Sequence, residues 1–186
     1  VDMTIGTANR LEIHRSGSNR PCYEYDLRLG SKPAQHIARR HLRAVSHATY
    51  VISTLMCGVD GQTDDDGAGD WVESIMTATA QELRAKLDSW RALATRHAVM
   101  DDGDLAAQIT LTVEISSPRL ATYISLTELL DQLSMTADAL VAAGLITRGE
   151  RTDTTRHCRE QMAQMAREVI RVAEEHQRRW RTGRQQ

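Results

Sequence analysis

Phenylalanine is absent from this chain of 186 residues, and only three Trp and four Tyr supply aromatic bulk. A core with so few rings must rest on Leu, Ile, Val, Met and Ala, which suits helix packed on helix. Three prolines occur, each in a segment that reads as non-helical or as a helix start. Cys22, Cys57 and Cys158 lie far apart, contain no CxxC pair and are odd in number. That excludes a disulfide framework and implies a reducing compartment. No stretch approaches the ~20 apolar residues of a membrane span; the run from Val51 to Cys57 is short and broken by Ser and Thr. Without a signal-peptide pattern either, a cytoplasmic protein with no membrane partner is expected. Also missing are GxSxG, a P-loop, a dinucleotide fingerprint and HExxH. The seven histidines are scattered. No enzyme, no catalytic residue and no cofactor are therefore expected.

Charge of one sign is lacking overall but not locally. The net charge is −2, yet residues 1–60 carry eight Lys/Arg against five acids, residues 61–147 five against fourteen, and residues 148–186 ten against six. A chain that bound a polyanion over its whole surface would be basic throughout, so any nucleic-acid surface must be local. Ordinary solvated helix faces are the alternative source of this pattern.

What is present is helical periodicity with two interruptions. Residues 1–20 hold Arg10, Arg15 and Arg20 and read as a flexible basic arm ahead of one α-rich domain over 21–181, with a short tail at 182–186. "YEYDLRL" alternates apolar and polar residues as a strand does, and Pro33 then suits the first turn of a helix to about Cys57. "GVDGQTDDDGAGD" reads as a loop. A second helix is expected to start at Asp70, with Glu73 completing a capping box. "QITLTVEI", Gln108 to Ile115, is a second strand. A third helix is expected from a Ser125 cap with Glu128, ending before Gly144. A fourth runs from near Thr152 to Trp180, its Cys158, Met162, Met165, Val169, Val172, His176 and Trp180 forming a narrow seam for a neighbouring helix. The fold class is mainly α: four long helices with a small antiparallel two-stranded sheet, and a dimer through that seam is expected. Strand–helix–helix occurs twice, with halves at 23–99 and 108–181, and Pro33 and Pro118 lie 85 positions apart.

"QTDDDGAGDWVE" overlays a twelve-residue calcium loop with Asp64, Asp66, Asp70 and Glu73 at ligand positions and Gly67 at the turn. Gln62 replaces the first carboxylate, and Gly69 the usual apolar eighth residue. A solvated helix connection is the better reading, and no metal residue is expected.

The second strand raises the functional question. Its outward face carries Gln108, Thr110 and Thr112, side chains able to read base edges, and Arg28 joins them from the first strand. A two-stranded ribbon laid in the major groove is an established mode of reading DNA. Lys32, Arg39, Arg40 and Arg43 at the start of the first helix then suit phosphates. Glu24, Asp26 and Glu114 share the ribbon face and repel phosphates. The nine residues from Ser116 to Ile124 also make a long link into the third helix. The competing interpretation is a two-stranded sheet that caps a helical core.

Several stretches together resemble the AcaB-type proteins of integrating conjugative elements and conjugative plasmids. They are "LRLGSKPAQHIARRHL", "GDWVESIMTATAQEL", "SSPRLATYISLTELLDQL" after a strand, and "GLITR" leading into an Arg-rich last helix, and the resemblance spans roughly Tyr23 to Gln177. It implies a transcriptional regulator of conjugative transfer with a ribbon-helix-helix DNA-binding part acting on double-stranded DNA; the homodimer is the expectation from the helical seam. The alternative is a helical protein-interaction module of the conjugation machinery that never touches DNA. Its protein partner would sit on the acidic middle or on the final helix.

Overall fold

The structure is a computed structural model that describes residues 13–14, 22–56, 67–99 and 108–183. Four helices hold most of it: α1 (Lys32–Met56), α2 (Ala68–Arg96), α3 (Pro118–Ala142) and α4 (Arg148–Gly183). The main strands are β2 (Cys22–Leu29) and β3 (Ile109–Ile115), which pair antiparallel within the one chain. These two form the expected antiparallel ribbon, and a two-residue strand β1 (Ile13–His14) adds to the other edge of β2, giving the order β1-β2-β3. The rest of the 1–20 arm lies outside the described residues.

Alternation along the strands decides which face is buried. Leu27 and Leu29 are fully buried and Val113 nearly so, with Tyr25, Ile109, Leu111 and Ile115 packed against the same core. Full burial of one such leucine contributes about 1.5–3 kcal/mol. A one-residue slip would turn all of these side chains to water, so the register, with Leu27 opposite Leu111 and Asp26 opposite Thr112, is strongly specified.

The order strand–helix–helix occurs twice along the chain, and the local match has an offset one position longer than the spacing of the two prolines. Ser31 corresponds to Ser117, and each precedes a helix of 25 residues. Both serines are buried, and each hydroxyl oxygen accepts a backbone N–H three residues on, from Ala34 at 3.4 Å and Leu120 at 3.2 Å. Counting back five residues from each serine gives Asp26 and Thr112, which face each other across the sheet. The strand pairing is therefore symmetric about that pair. The halves interlock: α1 packs most extensively on α4, and α2 on α3.

Three helix starts differ from the sequence expectation, each because of a local cap. Helix α3 begins at Pro118, seven residues before Ser125. Ser117 is extended (φ −152°, ψ 152°), accepts from Leu120, and is followed by a proline whose ring presets the first helical φ. The link from β3 is thus two residues, Ser116 and Ser117, and not nine. Ser125 lies in the helix interior, and Glu128 accepts a hydrogen bond from the Tyr25 hydroxyl at 2.5 Å. Helix α4 starts at Arg148, ahead of Thr152. The Thr147 backbone N–H donates to Glu150 Oε2 at 2.7 Å, and the Glu150 N–H donates to Thr147 Oγ1 at 3.1 Å, a reciprocal capping box. Helix α2 starts at Ala68 after Gly67, whose φ of 73° suits glycine. Asp70 lies in its first turn, and Glu73 forms an ion pair with Arg119 of α3 at 2.8 Å. Of the calcium-loop residues, Gln62 to Asp66 lie outside the described residues.

The seam on α4 also has another use. Cys158, Met162, Met165, Val169 and Val172 are all buried in this chain's own core, so that stripe is not an exposed dimer surface. Burial pushes the Cys158 thiol up.

One buried carboxylate ties the halves together. Asp131 of α3 accepts the backbone N–H groups of Gly30 (3.1 Å) and Ser31 (2.7 Å) where β2 turns into α1. Removing it strands one buried donor, Ser31, and one half-buried donor, Gly30, and a stranded buried donor costs about 1–3 kcal/mol. Asp131→Ala is expected to lower the urea-unfolding free energy by roughly 2–4 kcal/mol, and a loss below about 0.5 kcal/mol would contradict this role.

Candidate nucleic-acid interface

The outward face of the β2–β3 ribbon is fully presented to solvent. Glu24, Asp26 and Arg28 on β2, and Thr110, Thr112 and Glu114 on β3 with Gln108 just before it, are all exposed. The four residues proposed for base contact therefore share one surface. The register sorts them along the ribbon: Arg28 faces Thr110, Asp26 faces Thr112, and Glu24 faces Glu114. The cation and the neutral side chains sit at the end where β2 runs into α1. Two of the three carboxylates sit at the opposite end, where β3 runs into α3. The third, Asp26, accepts the Thr112 hydroxyl at 2.9 Å, so these two side chains spend part of their hydrogen-bonding capacity on each other.

The expected phosphate ligands are equally well displayed. Lys32, Arg39, Arg40 and Arg43 are exposed on α1, and none of them forms an ion pair among the described residues. Helix α1 contains no Asp or Glu along its 25 residues. Of the other arginines, Arg119 pairs with Glu73, Arg151 with Asp138 at 2.6 Å, Arg156 with Asp153, and Arg171 with Glu168 and Glu175, while Arg148, Arg159 and Arg167 of α4 form no ion pair among the described residues. What singles out the α1 face is the lack of any acid along the helix, whereas α4 interleaves its arginines with Glu and Asp.

Lys32, Gln35, His36, Arg39 and Arg40 line one surface depression. Gln35 Nε2 donates to the carbonyls of Leu29 (3.1 Å) and Gly30 (3.4 Å), which fixes the helix start against the strand end. The sequence pattern singles out the lysine and arginines but misses His36, exposed His47 and, on α4, exposed Arg167. The spacing of Lys32, His36, Arg40 and Arg43 at four and three is the signal that points to His36. Arg167 joins the cluster only through packing of α4 on α1 and has no local signature.

His41, one residue after Arg40, is buried. Burial first, then the positive charges of Arg40, Arg167 and His36, holds its imidazole below the ordinary range. On the ribbon's inner face, Tyr25 is pushed up to about 12 by its hydrogen bond to Glu128, with burial and that carboxylate's charge adding to the effect. Among the described residues no group of three or more His, Cys, Asp and Glu is arranged to hold a metal ion. No helix among them is long and apolar enough to cross a membrane.

The architecture is a mainly α fold of four long helices in the order strand–helix–helix, strand–helix–helix, with the two long strands joined in one antiparallel ribbon. The same fold is found in the crystal structure of selenomethionine-containing AcaB from uropathogenic E. coli: the TM-score is 0.79 and the identity 21%, over 84% of this chain and 81% of that one. The resemblance noted in the sequence thus holds at the level of the fold. No family model and no curated protein matches the chain.

The depressed His41 imidazole ties stability to pH. The unfolded chain takes up the imidazole proton near the ordinary pH of ~6.5, before the folded protein does, so stability is present above that value and is lost as pH falls through it. The thermal midpoint is expected to drop between about pH 7.5 and pH 5, and His41→Gln to shrink that drop. Superimposable profiles for the two proteins would contradict the assignment.

Proposed function

We propose that this protein is a DNA-binding regulator of the ribbon-helix-helix type, encoded on a mobile element and acting on conjugative transfer. The observation that carries the DNA reading is the junction of Arg28, Thr110 and Gln108 with the acid-free face of α1. Side chains suited to base edges there lie beside unpaired cations suited to phosphates. Arg28 would donate to guanine or to a neighbouring acceptor, and Gln108, Thr110 and Thr112 would read adjacent edges. Lys32, Arg39, Arg40 and Arg43 would hold the backbone. The short strand-to-helix link removes the geometric objection raised by the sequence. The AcaB-like fold supports the biological setting.

Both strands of the ribbon come from one chain, so a single copy presents a complete reader. A homodimer on this reading would set two readers side by side rather than build one. The second reading, a protein-interaction module without DNA contact, is favoured by one observation: three carboxylates against a single guanidinium on the ribbon's outward face.

Fluorescence anisotropy with upstream duplex fragments of the host element separates the two. Binding is expected to weaken as salt rises. Replacing Arg39, Arg40 and Arg43 together by Ala is expected to reduce the salt slope by about 0.9 for each phosphate left without its cation and to weaken binding to all sequences alike. Arg28→Ala is expected to cost about 1–3 kcal/mol and to relax sequence preference locally. Binding that is insensitive to salt, or to the triple substitution, would favour the interaction module.

A further inference from the structure

The order of elements and the sheet register match β2 and α1 to β3 and α3. At that offset several outward residues of one half have an outward counterpart in the other, while exposed Arg40 falls on the buried Leu126. Counting from Ser31 and Ser117, Arg28 corresponds to Glu114, Lys32 to Pro118, His36 to Thr122 and Arg39 to Ser125. All eight are exposed. The order of elements is repeated, but the charge is not.

The helices show the same imbalance. Helix α1 carries four Lys/Arg and no acid, whereas α3 carries one arginine against three acids. That arginine, Arg119, is already committed to Glu73 and lies within 3.5 Å of the Ser53 hydroxyl. At the α3 end of the ribbon, Glu24 and Glu114 stand directly opposite each other. Like charges in that position are locally unfavourable, and together they repel a phosphate backbone.

We infer that the protein reads DNA in one direction: a single chain grips the duplex through its β2–α1 end and holds its β3–α3 end off the backbone, so its preferred site lacks two-fold symmetry. This rests on the DNA-binding reading above and adds to it the symmetry of the target. A reader built from two identical subunits presents two equal grips and favours an inverted repeat. Here the second grip is replaced by carboxylates and neutral residues, so base and phosphate contacts concentrate on one side. Orientation on DNA is then set by the chain itself and can be passed on to whatever the outer helices touch.

Selection of bound duplexes from a random pool with the full chain, followed by native mass spectrometry of the selected complex, tests this. The expected consensus has no inverted repeat, and each such site holds one chain. Glu114→Arg supplies the missing cation and also replaces the repulsive cross-strand pair with an attractive one, so the variant is not expected to lose stability. It is expected to tighten binding about ten-fold and to make the consensus more symmetric. An inverted-repeat consensus for the unaltered protein, or a Glu114→Arg variant with unchanged affinity and consensus, would overturn the directional reading while leaving DNA binding intact. Failure to enrich any duplex over a protein-free control would overturn the DNA reading and this inference together.

Discussion

The antiparallel pairing of β2 with β3 inside one chain is the constraint on which the structure depends. Its register turns Leu27, Leu29 and Val113 into the core and sets Arg28 and Thr110 in water on the other side. From there the two short links, Gly30–Ser31 and Ser116–Ser117, launch α1 and α3 as related helices. The interlocked second helices then lock the ribbon in place: α4 packs on α1 and α2 on α3, so neither half buries its core without the other. Asp131 sits where these demands meet, a side chain of the second half that satisfies the backbone at the helix start of the first.

A fold of this kind shows a pleated polar face to solvent whatever its function, so function has to be argued from the charge placed on it. Averaged over the face, three carboxylates outweigh one guanidinium. Resolved along the ribbon, Glu24 and Glu114 stand at one end, Asp26 in the middle and Arg28 at the other end, and α1 continues the cationic end without an acid in its length. The mean is unfavourable for a polyanion while one end is well suited to it. That spatial sorting is invisible in the net charge of −2.

Much of the fold is legible in the sequence because periodicity reports burial. The four helices, both long strands, their inward residues and the Gly144 stop, with its φ of 71°, follow from spacing and turn chemistry. The helix starts are less legible, since several Ser and Thr residues compete as caps, and the choice among them is made by cap geometry together with packing. Ser117 prevails over Ser125 because Leu120, Tyr123 and Ile124 gain full burial when the helix begins early. The α4 seam is plainly apolar in the sequence, but a sequence does not say whether a stripe is covered from within or by a partner molecule. The candidate site is half legible: the ribbon residues and α1 cations can be named, but the register that puts Arg28 across from Thr110, and the approach of Arg167, come from long-range packing.

The most direct measurement is a titration of isotopically labelled protein with the duplex it prefers, followed residue by residue in solution by NMR. Docking through the β2–α1 end predicts that amide and side-chain signals of Arg28, Gln108, Thr110, Lys32, Arg39 and Arg40 move together, while those of Glu24, Glu114, Thr122 and Ser125 stay near their free positions. Perturbations centred on α3, or on the outer faces of α2 and α4 with the ribbon silent, would contradict it.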